Sequence, residues 1–451
     1  MNKELNYSYN LLKKVYFDEG YSSIELNKLI NAKKQEKVNF ALITKIVYGV
    51  LEKDISLEYI VSKFVKKASE PKIMLILKMA TYISRFTNSI PNYAIVNECV
   101  ELAKKENKNA GGFVNATLKN ILNNKVLLPN KGENLEEYLS IKYSYPVWII
   151  KELLKSNPTK FIEEYLSKEL TTLTHIRVVN TNFENIKYFN KNGNISDGFK
   201  KIVDNFENDL KQNNVEYSKT SLPFTFYVDY SSLKNLPLFE GRYVVQGIPS
   251  IITSINVGVE NNDNVLDCTG APGGKSVLIA ELSPTSQITC CDIHEHRVEL
   301  IKAYATKQNI KNIIPLTQDA TKFNKDFNEN FDRVLCDVPC SGIGVVNKKP
   351  DILLNRTLND VKTLSGVQFS ILSNNAKYVK IGGTLVYSTC SILEKENEEV
   401  VRKFLLQNKN FELEPIETFG ISVKNNENMY TFFPNISETE GFFIAKLKRI
   451  K

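Results

Sequence analysis

The sequence predicts a multidomain protein in which an all-α bundle precedes a small α+β subdomain and an α/β Rossmann-like domain. Three observations carry that expectation. Apolar residues recur at three- and four-residue spacing through about the first 125 residues. Short β-rich pieces alternate with polar segments between Thr171 and Tyr230, and from Val244 onward apolar strand-like runs alternate with helical stretches. With 451 residues, 42% of them hydrophobic, the chain holds enough apolar side chain for more than one core. The expected domains are 1–128, 129–240 and 241–451.

In the front bundle, Phe40, Ile43, Ile46, Val47, Val50 and Leu51 mark one helical face. Ile73, Leu75, Ile76, Leu77, Met79, Ala80, Tyr82 and Ile83 form a helix so apolar that it must be central. Pro91 starts a further helix over Tyr93 to Leu102, and Gly111-Gly112 precedes another that reaches Leu122. Residues 1–130 carry 20 Lys+Arg against 12 Asp+Glu, while the whole chain nets +7, so essentially all the excess lies at the front. Such a surface is either a solvated lysine-rich helical face or an attractor of polyanions, most economically RNA. No run of about 18 apolar residues and no secretory leader is visible, so a cytoplasmic protein without membrane contact is expected. Seven cysteines without CxxC spacing read as reduced thiols rather than a disulfide scaffold.

A stretch rich in Asn, Lys and Pro from Leu127 to Asn134 reads as a linker, and Tyr145-Pro146-Val147-Trp148 opens an amphipathic helical stretch. His175-Ile176-Arg177-Val178-Val179 and Phe224-Thr225-Phe226-Tyr227-Val228 are the β-rich pieces of the middle, RRM-like subdomain. Behind it, Asn264–Asp267, Gln287–Asp292, Arg333–Asp337 and Thr384–Ser388 read as buried parallel strands, each ending at a polar or acidic residue. In a doubly wound sheet ligands bind at those carboxyl ends. Gly270, Gly273 and Gly274 follow the first of these strands and allow close backbone approach to a ligand, although neither GxGxxG nor GxxxxGK[ST] is present. Asp292 ends the next strand, where a carboxylate accepts from ribose hydroxyls, and Asp319 is expected to end the one after, within reach of an adenine amine. Helix capping is the competing role for both. Cys290, Cys291, His294 and His296 invite a metal reading, but alternation sends the two thiols to opposite faces and no metal is expected.

Two cysteines stand in separate motifs, Asp337-Val338-Pro339-Cys340-Ser341-Gly342 and Ser388-Thr389-Cys390-Ser391. With the glycine turn they point to covalent chemistry on a pyrimidine. C5 of cytosine is too poor a nucleophile to take a methyl group until a thiolate adds at C6, and a second thiol can help release the product. By residue chemistry alone either cysteine can be the nucleophile, since DNA cytosine-5 methyltransferases use a Pro-Cys cysteine.

Ile90-Pro91-Asn92-Tyr93-Ala94-Ile95-Val96-Asn97-Glu98, Ala103-Lys104-Lys105 and Gly112-Phe113-Val114-Asn115-Ala116 resemble the NusB family, a small all-helical RNA-binding fold. Asp267 with Ala271-Pro272-Gly273-Gly274-Lys275-Ser276, the Pro-Cys motif through Gly344, Lys349-Pro350-Asp351, and the Thr-Cys motif with Glu396-Asn397-Glu398 resemble the Nol/Nop/Sun family of RNA cytosine-5 methyltransferases. The departures are Thr269-Gly270 in place of Cys-Ala and Asn347 in place of arginine. The resemblance implies a class I methyltransferase domain that uses S-adenosyl-L-methionine, held by Thr269, Gly270, Ala271, Pro272, Gly273, Gly274, Lys275, Asp292, Asp319 and Asp337. It implies Cys390 as nucleophile, Cys340 as the release group and Asp337 at the ring N3. With the NusB-like front it also implies a cytidine of 16S rRNA as target, in naked or partly assembled RNA, gripped by the first and middle domains of a monomer. The same chemistry on another ribosomal or transfer RNA, or a non-catalytic role in ribosome assembly, are the alternatives.

Overall fold

In the computed structural model, which describes residues 2–66, 69–88, 90–183, 185–190 and 193–451, the chain forms two units, Met1–Ser167 with Val346–Leu358 and Lys168–Val345 with Asn359–Lys451. The helix Pro71–Phe86 is the axis of the first. Pro71 occupies its first turn, where the missing N–H costs nothing, and Ile73, Leu75, Ile76, Leu77, Met79, Ala80 and Ile83 are buried around its circumference. Lys3–Phe17, Ser22–Lys33, Phe40–Glu52, Asp54–Ser62, Asn92–Glu106 and Ala110–Asn123 complete the bundle. Each buried Leu, Ile or Val contributes on the order of 1.5–3 kcal/mol, so the apolar faces hold the helices together more strongly than helix propensity does.

Three more helices, Leu135–Tyr143, Val147–Ser156 and Thr159–Ser167, belong to the same unit. Ser144 turns the chain between the first two with φ 64°, and its Oγ accepts from Ile55 N at 2.9 Å. The stretch Val346–Leu358 joins this unit too: Ser22 Oγ donates to Asp351, and Leu354 packs on the bundle core.

The second unit opens with a four-stranded antiparallel sheet of β1 (Thr174–Val178), β2 (Tyr217–Lys219), β3 (Thr225–Val228) and β4 (Tyr243–Val245) in the order β2-β3-β1-β4, with the helix Asp197–Gln212 on one face. That order is RRM-like. The opposite face of the central strands is buried: Arg177 sends a bidentate pair to Glu281 on the helix Gly274–Leu282, and His175 packs edge-on to Tyr227. An RRM stacks bases on this face. The expected RNA grip by the middle subdomain is therefore not available there, because the face is spent on an intramolecular contact.

The larger sheet comprises β5 (Asn264–Asp267), β6 (Gln287–Asp292), β7 (Ile313–Thr317), β8 (Phe331–Asp337), β9 (Val379–Thr389), β10 (Phe411–Glu414), β11 (Lys424–Asn426), β12 (Met429–Phe432) and β13 (Phe442–Arg449). Its order is β11-β12-β13-β9-β8-β5-β6-β7, with β10 paired to β13. From β9 to β7 neighbouring strands are parallel, and β13 runs antiparallel against β9. The strand order reverses between β5 and β8, which opens a crevice at their carboxyl ends. Cys290 joins the core on one side of this sheet and Cys291 the core on the other, as strand alternation requires.

Candidate active site

After β5 the chain turns sharply through the glycine-rich segment, stitched to both neighbouring strands. Cys268 N donates to Leu335 O, Thr269 Oγ1 to Asp337 O at 2.9 Å, and Gly270 N to Cys291 O at 2.7 Å. A Cβ on Gly270 would stand 2.3 Å from Cys290 Sγ and 2.7 Å from Asp267 Oδ2, so no other residue fits unless the turn moves. Gly273, with φ +109°, precedes the helix Gly274–Leu282 and has no side chain to cap its first N–H groups. Asp267 is fully buried, accepts from Ser276 Oγ at 2.6 Å, and is pushed up by that burial to about 6.

Asp292 closes β6. Its Oδ1 accepts from His294 N at 3.1 Å and its Oδ2 pairs with Arg297 at 3.0 Å, while Arg297 Nη2 also donates to Ala271 O at 3.1 Å. Arg297 thus ties the carboxylate to the glycine turn. Sequence reading missed it, although its place one turn into the helix after Asp292 is the available signal. Asp319 differs from expectation: β7 closes at Thr317, and Asp319 lies in the following turn. There it accepts from Thr321 N and Oγ1, and the Thr321 hydroxyl holds its carboxyl below the usual range.

The ends of β8 and β9 bring the two cysteine motifs together. Cys340 Sγ and Cys390 Sγ lie 2.6 Å apart, both as free thiols and both partly buried. Their hydrogen bond lowers Cys390 below the ordinary thiol range and raises Cys340 above it, with burial and the Glu396 carboxylate raising Cys340 further. Lys275 Nζ reaches Asp337 Oδ2 at 2.7 Å, and Ser388 Oγ donates to Asp337 Oδ1 at 2.7 Å. Burial opposes the ammonium charge, but Asp337 outweighs it and holds Lys275 above its usual value. The hydrogen bond from Cys340 is the main cause that favours the Cys390 thiolate; Lys275 adds a smaller push the same way, against burial and the charges of Asp337 and Glu396.

A parallel sheet continued by the antiparallel strand β13 and a glycine turn at the strand-order switch define a methyltransferase domain, which an N-terminal helical bundle precedes in the chain. A family model described as "16S rRNA methyltransferase RsmB/F" matches residues 255–448, and one described as "NusB family" matches residues 5–123. Among curated relatives, the probable ribosomal RNA small subunit methyltransferase B of Bacillus subtilis strain 168 is 30% identical over 448 residues, covering 97% of each chain. Ribosomal RNA small subunit methyltransferase B of Klebsiella pneumoniae is 28% identical over 417 residues, covering 90% of this chain and 89% of that one. The crystal structure of PH0851 superposes with TM-score 0.78 at 23% identity over 98% of both chains. A methyltransferase homolog protein from Pyrococcus horikoshii superposes with TM-score 0.56 at 24% identity over 70% of this chain and 99% of that one. The chain belongs to the RsmB/F family of 16S rRNA methyltransferases.

Proposed function

We propose that this protein methylates C5 of a specific cytidine in 16S rRNA, with S-adenosyl-L-methionine as donor and a covalent bond from Cys390 to C6 of the base. The observation that carries this reading is the pair of thiols from two separate loops, 2.6 Å apart, beside the Lys275–Asp337 ion pair. Gly270, which leaves the space a Cβ would fill, and the carboxylates of Asp292 and Asp319 near the strand ends suit an adenosyl donor with a ribose and a base amine, and Thr269 to Lys275 would form its cradle. Bound S-adenosyl-L-methionine would supply the methyl group that C5 accepts.

The residues of the chain do the rest. Cys390, biased toward thiolate, adds at C6 and drives charge into the ring. Asp337, held by Lys275 and Ser388, retains lone pairs to accept from the exocyclic amine or from N3 once that nitrogen carries a proton. Once C5 carries the methyl group, its remaining proton must leave as the C6–S bond breaks. Cys340 keeps its proton at neutral pH, can hand it to the departing Cys390 sulfur, and as thiolate can then take the C5 proton, which restores the ring and both thiols. The target cytosine must be unpaired or flipped out to reach these groups.

The test is transfer of labelled methyl to naked 16S rRNA by wild type, Cys390→Ala and Cys340→Ala, with trapped protein–RNA resolved on a denaturing gel. Cys390→Ala should be inactive and never trapped, whereas Cys340→Ala should accumulate adduct. The reverse pattern exchanges the two roles, and absence of 5-methylcytosine with wild type on 16S rRNA defeats the reading.

A further inference from the structure

Glu396 and Asn397 are adjacent and wholly buried. Glu396 Oε1 accepts from Ser341 N at 2.7 Å and from Gln368 Nε2 at 3.1 Å, and its Oε2 accepts from Ser341 Oγ at 2.5 Å. Gln368 Nε2 also donates to Pro339 O at 2.9 Å. The residues on both sides of Cys340 are therefore held from one carboxylate. Asn397 does the same for the other thiol: Oδ1 accepts from Thr389 Oγ1 at 2.6 Å, and Nδ2 donates to Ser391 O at 3.0 Å, on either side of Cys390. The loops are further joined where Gly344 N donates to Cys390 O at 3.0 Å.

Consecutive Cα atoms are about 3.8 Å apart, so two loops distant in sequence are referenced to one rigid dipeptide. A buried carboxylate is costly unless it is hydrogen-bonded, and three donors satisfy both oxygens of Glu396. We propose that Glu396 and Asn397 are paired positioning residues, Glu396 acting through Cys340 on product release and Asn397 acting through Cys390 on adduct formation. The negative charge of Glu396 also favours the protonated form of Cys340, the form release requires.

This inference rests on the thiol roles proposed above, and the full-length protein with 16S rRNA tests both. Glu396→Gln should trap covalent RNA as Cys340→Ala does, with single-turnover methyl transfer near wild type and steady-state turnover down at least about 10-fold. Asn397→Ala should trap none and lose methyl transfer by roughly 100-fold, the scale expected when a reacting atom is misplaced by about 1 Å. Donor affinity should be unchanged in both. Asn397→Asp, which retains the acceptor for Thr389, should fall between. If Glu396→Gln is recovered unfolded, Ser341→Ala removes the hydroxyl part of the same link from the loop side, leaving the bond from Ser341 N, and should trap adduct to a smaller extent. A trapping Cys340→Ala beside a non-trapping Glu396→Gln, or parallel loss of adduct and turnover in both dipeptide variants, overturns the inference and leaves the thiol roles intact. A Cys340→Ala that traps nothing overturns both.

Discussion

Asp267 sits at the base of the glycine turn as a fully buried carboxyl whose Oδ1 has no hydrogen-bond partner among the described residues, and its burial has a consequence for stability. Its folded value, about 6, lies above the unfolded 3.8, so the native state binds its proton more tightly than the unfolded chain does. That contribution is fully present below about pH 4 and is lost as pH rises through about 6. At neutral pH the ionised carboxylate therefore weighs against folding. Asp267→Asn keeps an acceptor for Ser276 while removing the titration. Denaturant unfolding without donor should show the variant gaining on wild type between pH 4 and 7, by an amount on the order of 2–3 kcal/mol. A difference that stays flat over that range would mean the carboxyl does not titrate there.

At the level of elements, the turn between β5 and the helix Gly274–Leu282 is held at both ends. Gly270 is wedged between Cys290 and Asp267, and Glu281 near the far end of the helix is gripped by Arg177. Gln246 connects the two, accepting from Arg177 Nε at 2.9 Å and donating to Gly274 O at 3.2 Å. The small sheet thus works as a brace for the turn. Gly270→Ala forces the turn to shift and should destabilise by about 1–3 kcal/mol, as overpacking does. Gly274 has open space at its Cβ position, so Gly274→Ala should cost nothing or add a few tenths of a kcal/mol. Chemical denaturation of the two variants separates these outcomes, and equal losses would contradict the packing argument.

For the molecule as a whole, the excess of Lys+Arg over acid in residues 1–130 is the basis for expecting polyanion attraction at the helical unit. Lys108 and Lys119 are exposed on it. Replacing both by Gln should weaken 16S rRNA binding and reduce the slope of log K against log salt by roughly 1 to 2, since each phosphate contact releases about one counterion. Donor affinity should not change. An unchanged slope would remove these two lysines from the RNA-binding surface. Among the described residues no helix is long and apolar enough to cross a membrane.

What the sequence determined by itself is the set of elements and motifs whose signals are local. Continuous apolar runs ending in acid mark β5, β6 and β8, helical periodicity marks Pro71–Phe86, and glycine and proline punctuate the turn at 270–274. That each cysteine motif follows a strand was also legible, but their proximity was decided by the pairing of β8 with β9. Asp319 was misplaced by two residues because strand ends carry little sequence signal. Only the tertiary structure decided that Val346–Leu358 joins the helical unit, that Arg297 reaches back to Ala271, that Lys275 meets Asp337, and that Glu396 and Asn397 each straddle one thiol. Most of these are hydrogen bonds and ion pairs between residues far apart in the chain; those of Asn397 to Thr389 and Ser391 are short-range but depend on the shape of the loop between them. Periodicity records which side of an element is buried, but it holds no record of which distant partner satisfies a buried polar group.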